Sequence, residues 1–314
     1  MFTFVARRLA NGVAMLFVIS SAAFLLLYLT GGDIARSIMG EFATEEAVRL
    51  RATQLGLDQP LLTRYWDWLS SALTGDFGTS WFAPSSVTNL VLTRLAVTLS
   101  LVGLAVLLIA VVATLLGVFA ALNRGGLLDR FIQFFSLLGA AVPNFLIALA
   151  FIMVFSLQLG WLRPTGFVSP STSIIGWLAS VALPVGALVV AGTAASAQQI
   201  RGAMIDSLNQ DYVRTLRARG LPTRSVVFKH ALRNAAGPGL SILALQFVAL
   251  LGGAIVIENL FALPGMGSLS VRSTVQGDIP VVMGVVVTIA IMVIVVNLII
   301  DIVQGWLNPK VRVA

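Results

Sequence analysis

The apolar residues of this chain come in long blocks that are separated by short polar stretches. A membrane-spanning helix needs about 20 mostly apolar residues, and six blocks reach that length. They run over roughly Leu9–Leu29, Val97–Leu122, Phe131–Leu157, Ile174–Ala197, Pro238–Ile257 and Val281–Val303. The pattern predicts an all-α integral membrane protein with about six transmembrane helices, whose outer surface faces lipid.

Two prolines fall inside these blocks. Pro143 lies midway along the third block, and Pro184 interrupts the fourth block, which is rich in Ala and Gly. Proline removes a backbone donor and usually kinks a helix, but neighbouring groups satisfy the freed carbonyls in a membrane. We therefore expect both blocks to span the membrane as bent helices.

The first block has an alternative interpretation as a secretory signal peptide. At about 21 residues it is longer than the apolar region of such a peptide, and no clear small-residue cleavage site follows it. We therefore predict that residues 1–30 form an N-terminal transmembrane helix.

The composition agrees with a membrane protein and excludes several functional classes. Of the 314 residues, 58% are hydrophobic and 11% are charged, whereas a soluble domain has about 25% charged residues. The absence of cysteine excludes disulfides and thiolate zinc sites, and the single histidine, His230, excludes a His-Glu-x-x-His site. The sequence shows no paired carboxylates and no nucleophile–base set. We therefore predict that this chain is not an enzyme and binds no metal or cofactor.

The distribution of basic residues predicts the orientation in the membrane. If the N-terminus is cytoplasmic, thirteen of the twenty Lys and Arg residues lie on the cytoplasmic side. Five of the seven others lie in the long first loop, where the rule is weak. The sequence therefore predicts that both termini are cytoplasmic.

The first loop is too long to be a simple connection. Residues 31–96 are predicted to form an extracytoplasmic loop domain, in which Thr44 precedes two acidic residues, as at the start of a helix. The loop also carries aromatic residues that suit a membrane-interface surface, namely Tyr65, Trp66 and Trp68.

The rest of the chain, residues 97–314, is predicted to be a core domain of five transmembrane helices. Its second long loop, at about residues 200–236, is predicted to be cytoplasmic. On composition alone, this loop could be a solvated basic segment that enforces topology and contacts anionic headgroups.

The pattern within this loop predicts two helices joined by a tight turn. Val213 and Leu216 are three residues apart and share a helix face. Gly220 is placed for a left-handed helix end, and Pro222 prevents simple continuation. A second helix, Arg224–Asn234, would then start with Thr223 as its cap.

The residues of the first predicted helix and its turn resemble a known family. They are similar to the cytoplasmic signature of ABC-importer permeases, called the EAA loop, and more narrowly to the dipeptide, oligopeptide and nickel branch. This stretch consists of Asp211, Tyr212, Val213, Arg214, Thr215, Leu216, Arg217, Ala218, Arg219, Gly220 and Leu221.

The resemblance extends over nearly the whole chain. Six further stretches match patterns of the same family in number, order and spacing, and His230–Ala235 continues the signature. The six are Leu55–Pro60, Gly75–Ser80, Gly252–Glu258, Phe261–Gly267, Asn297–Asp301 and Asn308–Arg312. Three positions depart from the pattern: Leu216 replaces a common alanine, Ile34 follows Gly31–Asp33 where proline is frequent, and Gly277 replaces the usual arginine.

The resemblance implies a permease subunit of an ATP-driven importer in the bacterial inner membrane. A second homologous permease chain would complete the pathway, and two ATP-binding subunits would carry ATP and magnesium. An extracytoplasmic solute-binding protein would deliver the solute, and no nucleic acid is involved. Neither lysine of this chain follows a glycine, so it has no phosphate-binding loop of its own.

Di- and oligopeptides are the expected cargo, with nickel chelates, glutathione or another small solute as alternatives.

Five residues in the spans are candidates for the pathway or a gate. Pro143 and Asn144 could line a pore where the kink exposes carbonyls, although packing explains them equally well. Gly252 and Gly253 permit close helix approach and could flex during gating, and packing is the favoured interpretation. Glu258 could contact solute, but a structural cap or ion pair explains it at least as well.

Two other membrane functions compete with this interpretation. A secondary transporter usually has ionisable residues at mid-membrane and repeated halves, whereas Glu258 and Asp301 both lie near the membrane edges. A structural scaffold would need no defined cytoplasmic docking turn. ATP dependence of uptake discriminates between a secondary transporter and an importer.

Overall fold

The structure is a computed structural model that describes residues 2–30 and 34–307. The sequence similarities at Gly31–Asp33 and Asn308–Arg312 lie outside the described residues. Within those described ranges the chain is helical, with no strand and one isolated bridge between Thr79 and Ser86. The predicted all-α class is therefore confirmed.

Helices of very different lengths make up the described chain. The short helices are α2 Ile34–Met39, α3 Glu45–Gln54, α4 Leu61–Leu73, α6 Leu127–Ala141, α7 Asn144–Phe151, α9 Asp211–Ala218, α10 Thr223–Ser225 and α12 Met266–Gln276. The long helices are α1 Phe2–Thr30, α5 Val87–Leu122, α8 Ile174–Leu208, α11 Leu232–Leu260 and α13 Ile279–Leu307. Two π-helical segments, Ile152–Gln158 and Val226–Ala231, follow α7 and α10.

Five of these helical stretches are long and apolar enough to cross a membrane, or six if α6 and α7 form one broken span. The five lie in α1, α5, α8, the continuous helix Thr223–Leu260, and α13. The prediction of about six membrane-spanning segments is thus confirmed. The third segment differs from the others because it consists of two helices.

The third predicted span is not one bent helix but two separate helices. The helical stretches Leu127–Gly139 and Asn144–Gln158, the second of which includes the π-helical segment, are bent by 95° relative to each other. Proline disfavours helical backbone in the preceding residue, and Val142 is extended, with φ −89° and ψ 121°. Pro143 then occupies the N-cap of α7. The bend expected at Pro143 is therefore confirmed, and it divides the predicted segment Phe131–Leu157 into two helices.

Several helices extend beyond their apolar blocks. α5 begins at Val87 rather than Val97, and α8 continues to Leu208 through the predicted start of the cytoplasmic loop. The predicted helix Arg224–Asn234 and the fifth span are one continuous helix, Thr223–Leu260, with Pro238 inside it. Thr223 is its first residue, and Pro222 occupies the N-cap, so the predicted cap by Thr223 is wrong. Proline suits a helix start because the first N–H groups have no intrahelical partner.

The described chain forms two compact units. One unit combines Val97–Leu263 with the described parts of Met1–Ala6 and Val295–Ala314, and the other combines Arg7–Ala96 with Pro264–Ile294. These units group the chain by contacts and include Pro264–Ile294 with Arg7–Ala96, whereas the contiguous domains predicted above stay a prediction.

In the first unit, α8 is the central helix and packs against α6, α7 and α11. Small residues of α8 make this close approach feasible. A β-carbon at Gly192 would lie 2.3 Å from Cδ1 of Ile109 in α5, and one at Gly186 would lie 2.9 Å from the ring of Phe151. The Ala- and Gly-rich composition of the fourth block is therefore a packing requirement.

The described part of the second unit contains apolar clusters and a buried carboxylate, that of Asp278. One cluster contains Phe24, Ile34, Tyr65, Ile279 and Met283, and another contains Val87, Val91, Met266, Val281 and Val285. The buried carboxylate of Asp278 accepts hydrogen bonds from the hydroxyl of Ser80 and, at 3.2 Å, from the backbone N–H of Trp81. Gly277 ends α12 with φ +76°, a conformation that favours glycine over the arginine usual in the family.

Candidate functional site

The stretch that resembles the EAA loop begins with the short helix α9. Gln210 is its N-cap, with extended backbone, and Asp211 places a carboxylate in the first turn, where the helix dipole favours negative charge. The hydroxyl of Thr215 donates to the carbonyl oxygen of Asp211 at 3.1 Å. The helix predicted from the spacing of Val213 and Leu216 is therefore confirmed.

The C-terminus of α9 is a Schellman motif. The N–H of Gly220 donates to the carbonyl of Arg217 at 2.9 Å, and the N–H of Leu221 donates to that of Leu216 at 3.2 Å. Gly220 has φ +76°, which is the left-handed conformation predicted for it. Because these hydrogen bonds satisfy carbonyls that the helix leaves free, α9 ends sharply at a defined residue.

The inner face of α9 is fixed to its own chain. The side chain of Val213 is fully buried, at 0% exposure, and α9 packs against the π-helical segment Val226–Ala231. The hydroxyl of Ser207, at the end of α8, donates to the carbonyl of Ala231 at 2.9 Å. Since that hydroxyl has one proton, the hydroxyl of Tyr212 donates to Ser207 across their 2.8 Å contact. α9 is thus connected to α8 and to the helix that leads into α11.

The opposite face of α9 is exposed and basic. Its exposed residues are Asp211, Arg214, Thr215, Arg217, Ala218, Arg219 and Gly220, while Tyr212, Leu216 and Leu221 are half-buried. Arg214 forms an ion pair with Asp211 at 3.5 Å. Val213, which shares a helix face with Leu216, has no exposed surface and holds α9 in place within this chain.

Two of the pathway candidates meet where α7 packs against α11. A β-carbon at Gly253 would lie 2.6 Å from Nδ2 of Asn144, so a larger residue there would require this amide to move or the two helices to separate. Asn144 begins α7 directly after Pro143. A β-carbon at Gly252 would meet no described atom within 4 Å. Within the described residues, the close contact supports the packing role at Gly253, while the role of Gly252 stays a prediction.

The fifth candidate, Glu258, is fully buried, at 0% exposure, near the end of α11. Its carboxylate accepts a hydrogen bond of 2.6 Å from the hydroxyl of Thr98 in α5. A charged group in this environment requires hydrogen-bonding partners. The contact connects α11 to α5, in agreement with the structural interpretation of this residue.

One buried ion pair in this unit is absent from the predictions. Asp129, in the first turn of α6, is 1% exposed and pairs with Arg201 of α8 through both carboxylate oxygens, at 2.6 and 2.8 Å. Asp129 also accepts hydrogen bonds from the backbone N–H of Gly125 and the side chain of Gln133, both at 2.9 Å. The sequence does mark Asp129 as unusual, because it is the sole acidic residue between residues 77 and 205.

These contacts define the mechanical properties of the candidate site. α9 is a short, sharply ended helix whose inner face is attached to two long helices, and those helices extend through the core of the unit. A force on the exposed face of α9 therefore acts on α8 and α11 together.

Comparison with known proteins gives the same family over nearly the full length. The family described as binding-protein-dependent transport system inner membrane component matches residues 113–313, and the N-terminal membrane component of such systems matches residues 1–102.

Individual relatives are similar from end to end. The chain is 35% identical over 308 residues to a Brucella abortus protein assigned as a peptide transport system permease, covering 98% of each chain. It is 35% identical over 309 residues to a Sinorhizobium fredii protein assigned as a peptide ABC transporter permease, covering 98% of this chain and 99% of the relative. It is also 35% identical over 312 residues to the glutathione transport system permease protein GsiC of Escherichia coli K12, covering 99% of each. The chain therefore belongs to the family of binding-protein-dependent transport system inner membrane components, the multi-pass permease subunits of ABC importers in the bacterial inner membrane.

Proposed function

We propose that this chain is one of two homologous permease subunits that together form the solute pathway of a peptide importer. In this assembly two ATP-binding subunits lie on the cytoplasmic side, and α9 docks into a groove on one of them. The observation that carries the proposal is the construction of α9. It exposes Arg214, Arg217 and Arg219 while its inner face is attached to the core.

The proposed coupling follows from these attachments. ATP and magnesium bind to the partner subunits, and closure of the ATPase dimer pushes α9. Ser207 lies in α8, so the displacement of α9 also moves α8. The hydrogen bond from Ser207 to the carbonyl of Ala231 passes the displacement on to the helix Thr223–Leu260. Both helices pack against α7, whose first residue, Asn144, abuts Gly253. This contact is the proposed position of the gate between inward- and outward-facing states.

The proposed orientation places both termini and α9 in the cytoplasm. It is supported by the excess of basic residues on that side and by the exposed arginines of α9 itself. The long loop after α1 then faces the solute-binding protein.

Di- and oligopeptides are the proposed cargo. Two of the relatives described above are assigned to peptide transport, and the third transports glutathione, which is itself a small peptide. Glutathione is therefore the second candidate, and nickel chelates are the third because they belong to the same branch. The binding protein sets most of the specificity, so the cargo has to be identified with that protein present.

Reconstitution tests the proposal directly. The chain is purified with the second permease, ATPase and binding protein co-expressed from neighbouring genes, and is placed in vesicles. ATP hydrolysis and uptake are measured with no binding protein, with the empty binding protein, and with that protein loaded from a peptide mixture, glutathione or a nickel chelate. We expect stimulation by the loaded binding protein alone, with peptides as the most effective cargo.

Other outcomes identify the competing functions. Uptake driven by a proton gradient without ATP would establish a secondary transporter. Stimulation by glutathione but not by other peptides would select the second candidate. Absence of a co-purifying ATPase would contradict the docking role of α9.

A further inference from the structure

Helix α4, in the loop after α1, carries two different apolar faces. Tyr65 and Trp68 point toward α1, where the ring of Tyr65 lies 5.3 Å from that of Phe24 and the ring of Trp68 lies 6.5 Å from it. A second set of apolar side chains recurs at positions i, i+4, i+7 and i+11, which is the spacing of one helix face. We call this set the α4 stripe, and it consists of Leu62, Trp66, Leu69 and Leu73.

The α4 stripe is largely uncovered. Leu62, Trp66 and Leu73 are 69%, 58% and 81% exposed, while Leu69 is half-buried and packs at the edge of the cluster around Phe24 and Tyr65. The remaining arc of the helix is polar and exposed, and it consists of Thr63, Asp67, Ser70 and Ser71. A contiguous exposed apolar surface bordered by polar residues marks contact with a membrane or another protein. What covers the stripe therefore depends on where α4 lies relative to the bilayer.

The contacts of Tyr65 with α1 give that position. Arg7 and Arg8 mark one membrane boundary on α1, and the apolar block starts at Leu9. A hydrocarbon core of about 30 Å takes about 20 residues at about 1.5 Å each, so the other boundary is near Tyr28. The hydroxyl of Tyr65 contacts the hydroxyls of Ser20 and Ser21 at 3.0 and 2.8 Å. By the same rise per residue, Ser21 lies about 10 Å inside that boundary.

A second contact marks the level of the headgroups. The guanidinium carbon of Arg64 lies 5.3 Å from the ring centroid of Tyr28. Arginine keeps its charged end at the interface while its aliphatic part lies along apolar surface. Arg64 is thus at the boundary, while the rings of Tyr65 and Trp68 reach below it. The backbone of α4 therefore lies at the level where headgroups meet hydrocarbon.

We infer that α4 is an interfacial helix whose stripe is immersed in the lipid leaflet at the C-terminal end of α1. Lipid is the occupant because the stripe lies at hydrocarbon depth beside α1, whose own apolar surface is widely exposed, for example at Val18 and Leu26. The polar arc of α4 then faces water, as in helices that lie in the plane of the membrane. The inference depends neither on the cargo nor on which side of the membrane this leaflet faces.

The chain contains no cysteine, so single cysteines can be introduced without removing any. Leu62→Cys, Trp66→Cys and Leu73→Cys report on the stripe, while Thr63→Cys, Asp67→Cys and Ser71→Cys are controls at matched positions along the polar arc. Val18→Cys on α1 is the lipid reference. All seven positions are exposed, so these substitutions leave the core intact. Each variant complex is labelled with a nitroxide in lipid nanodiscs, and the complex without introduced cysteine supplies the background.

The measurement is the accessibility of each nitroxide to oxygen, which concentrates in lipid, and to a water-soluble nickel chelate. We expect an oxygen-to-nickel ratio at the three stripe positions that is several-fold higher than at the three controls and close to that of Val18→Cys. A ratio at the stripe equal to that of Ser71→Cys would place the stripe in water and overturn the inference. Low accessibility to both reagents would overturn it as well, because a protein partner would then cover the stripe. Neither result would alter ATP-driven transport, so the proposed function is tested separately.

Discussion

The backbone N–H of Leu221 donates a hydrogen bond to the carbonyl of Leu216 across the end of α9, with Gly220 in left-handed conformation between them. This hydrogen bond gives the candidate coupling helix a fixed end and turns the chain toward the next helix. A β-carbon at Gly220 would meet no described atom within 4 Å. Within the described residues, the restriction at this position therefore comes from the left-handed backbone and not from packing.

Gly220→Asp is expected to uncouple transport while leaving membrane insertion intact. The new carboxylate lies at the negative end of the α9 dipole and among arginines that are proposed to face the ATPase. We expect binding-protein-stimulated ATP hydrolysis to fall about tenfold, which corresponds to about 1.4 kcal/mol of coupling. Gly220→Asn is the matched control, because asparagine has the same shape, no charge and tolerance of left-handed backbone. Normal transport by Gly220→Asp would contradict docking at this turn.

The hydrogen bonds of Ser207 are expected to set the rigidity of α9. Ser207→Ala removes the bond to the carbonyl of Ala231 and the bond from Tyr212, whereas Tyr212→Phe removes the second one alone. Each bond contributes about 1 kcal/mol. We expect Ser207→Ala to lower the thermal denaturation midpoint and the coupling of ATP hydrolysis to uptake more than Tyr212→Phe does. Equal coupling in both variants and the wild type would show that α9 transmits no force through Ser207.

The ion pair between Asp129 and Arg201 is expected to stabilise the contact between α6 and α8. Asp129→Asn leaves the charge of Arg201 without its counter-charge in a mostly buried site, and breaking such a pair destabilises a protein by about 3–5 kcal/mol. The double variant Asp129→Leu with Arg201→Met removes both charges, so its denaturation midpoint should lie closer to that of the wild type. If the double variant loses as much stability as Asp129→Leu and Arg201→Met lose in sum when each is measured alone, the residues do not act as a pair.

The local features of this protein follow from its sequence, and its distant contacts do not. The ends of α9 are predictable because Gly220 and Pro222 act on the backbone within a few residues. The number of spans follows from block length alone. In contrast, Asp129 and Arg201 are 72 residues apart in the sequence, so no local pattern predicts that they pair. The same is true of Ser80 and Asp278, which are 198 residues apart. The same limit explains the helix bounds. Arg201 falls at the predicted start of the cytoplasmic loop, but it lies inside α8, which continues to Leu208, and pairs there with Asp129.

Adjacent glycines in α11 provide a matched test of the proposed gate. Gly253→Ala would place a β-carbon 2.6 Å from Nδ2 of Asn144, so α7 and α11 would have to separate or Asn144 would have to change rotamer. The β-carbon that Gly252→Ala introduces would meet no described atom within 4 Å. This substitution should be neutral or stabilising by about 0.5–1 kcal/mol, because alanine is more stable than glycine in a helix. We expect Gly253→Ala to lower both the denaturation midpoint and the rate of uptake, and Gly252→Ala to lower neither.

A second substitution separates local crowding at Gly253 from a general loss of structure. Asn144→Ala removes the amide that a β-carbon at Gly253 would meet, so the double variant of Gly253→Ala with Asn144→Ala should recover the denaturation midpoint lost by Gly253→Ala alone. Double-mutant cycles measure such coupling between neighbouring residues. If uptake remains low in the double variant although its stability recovers, the amide of Asn144 itself acts in the pathway. Recovery of both properties would show that the contact of Asn144 with Gly253 serves packing alone.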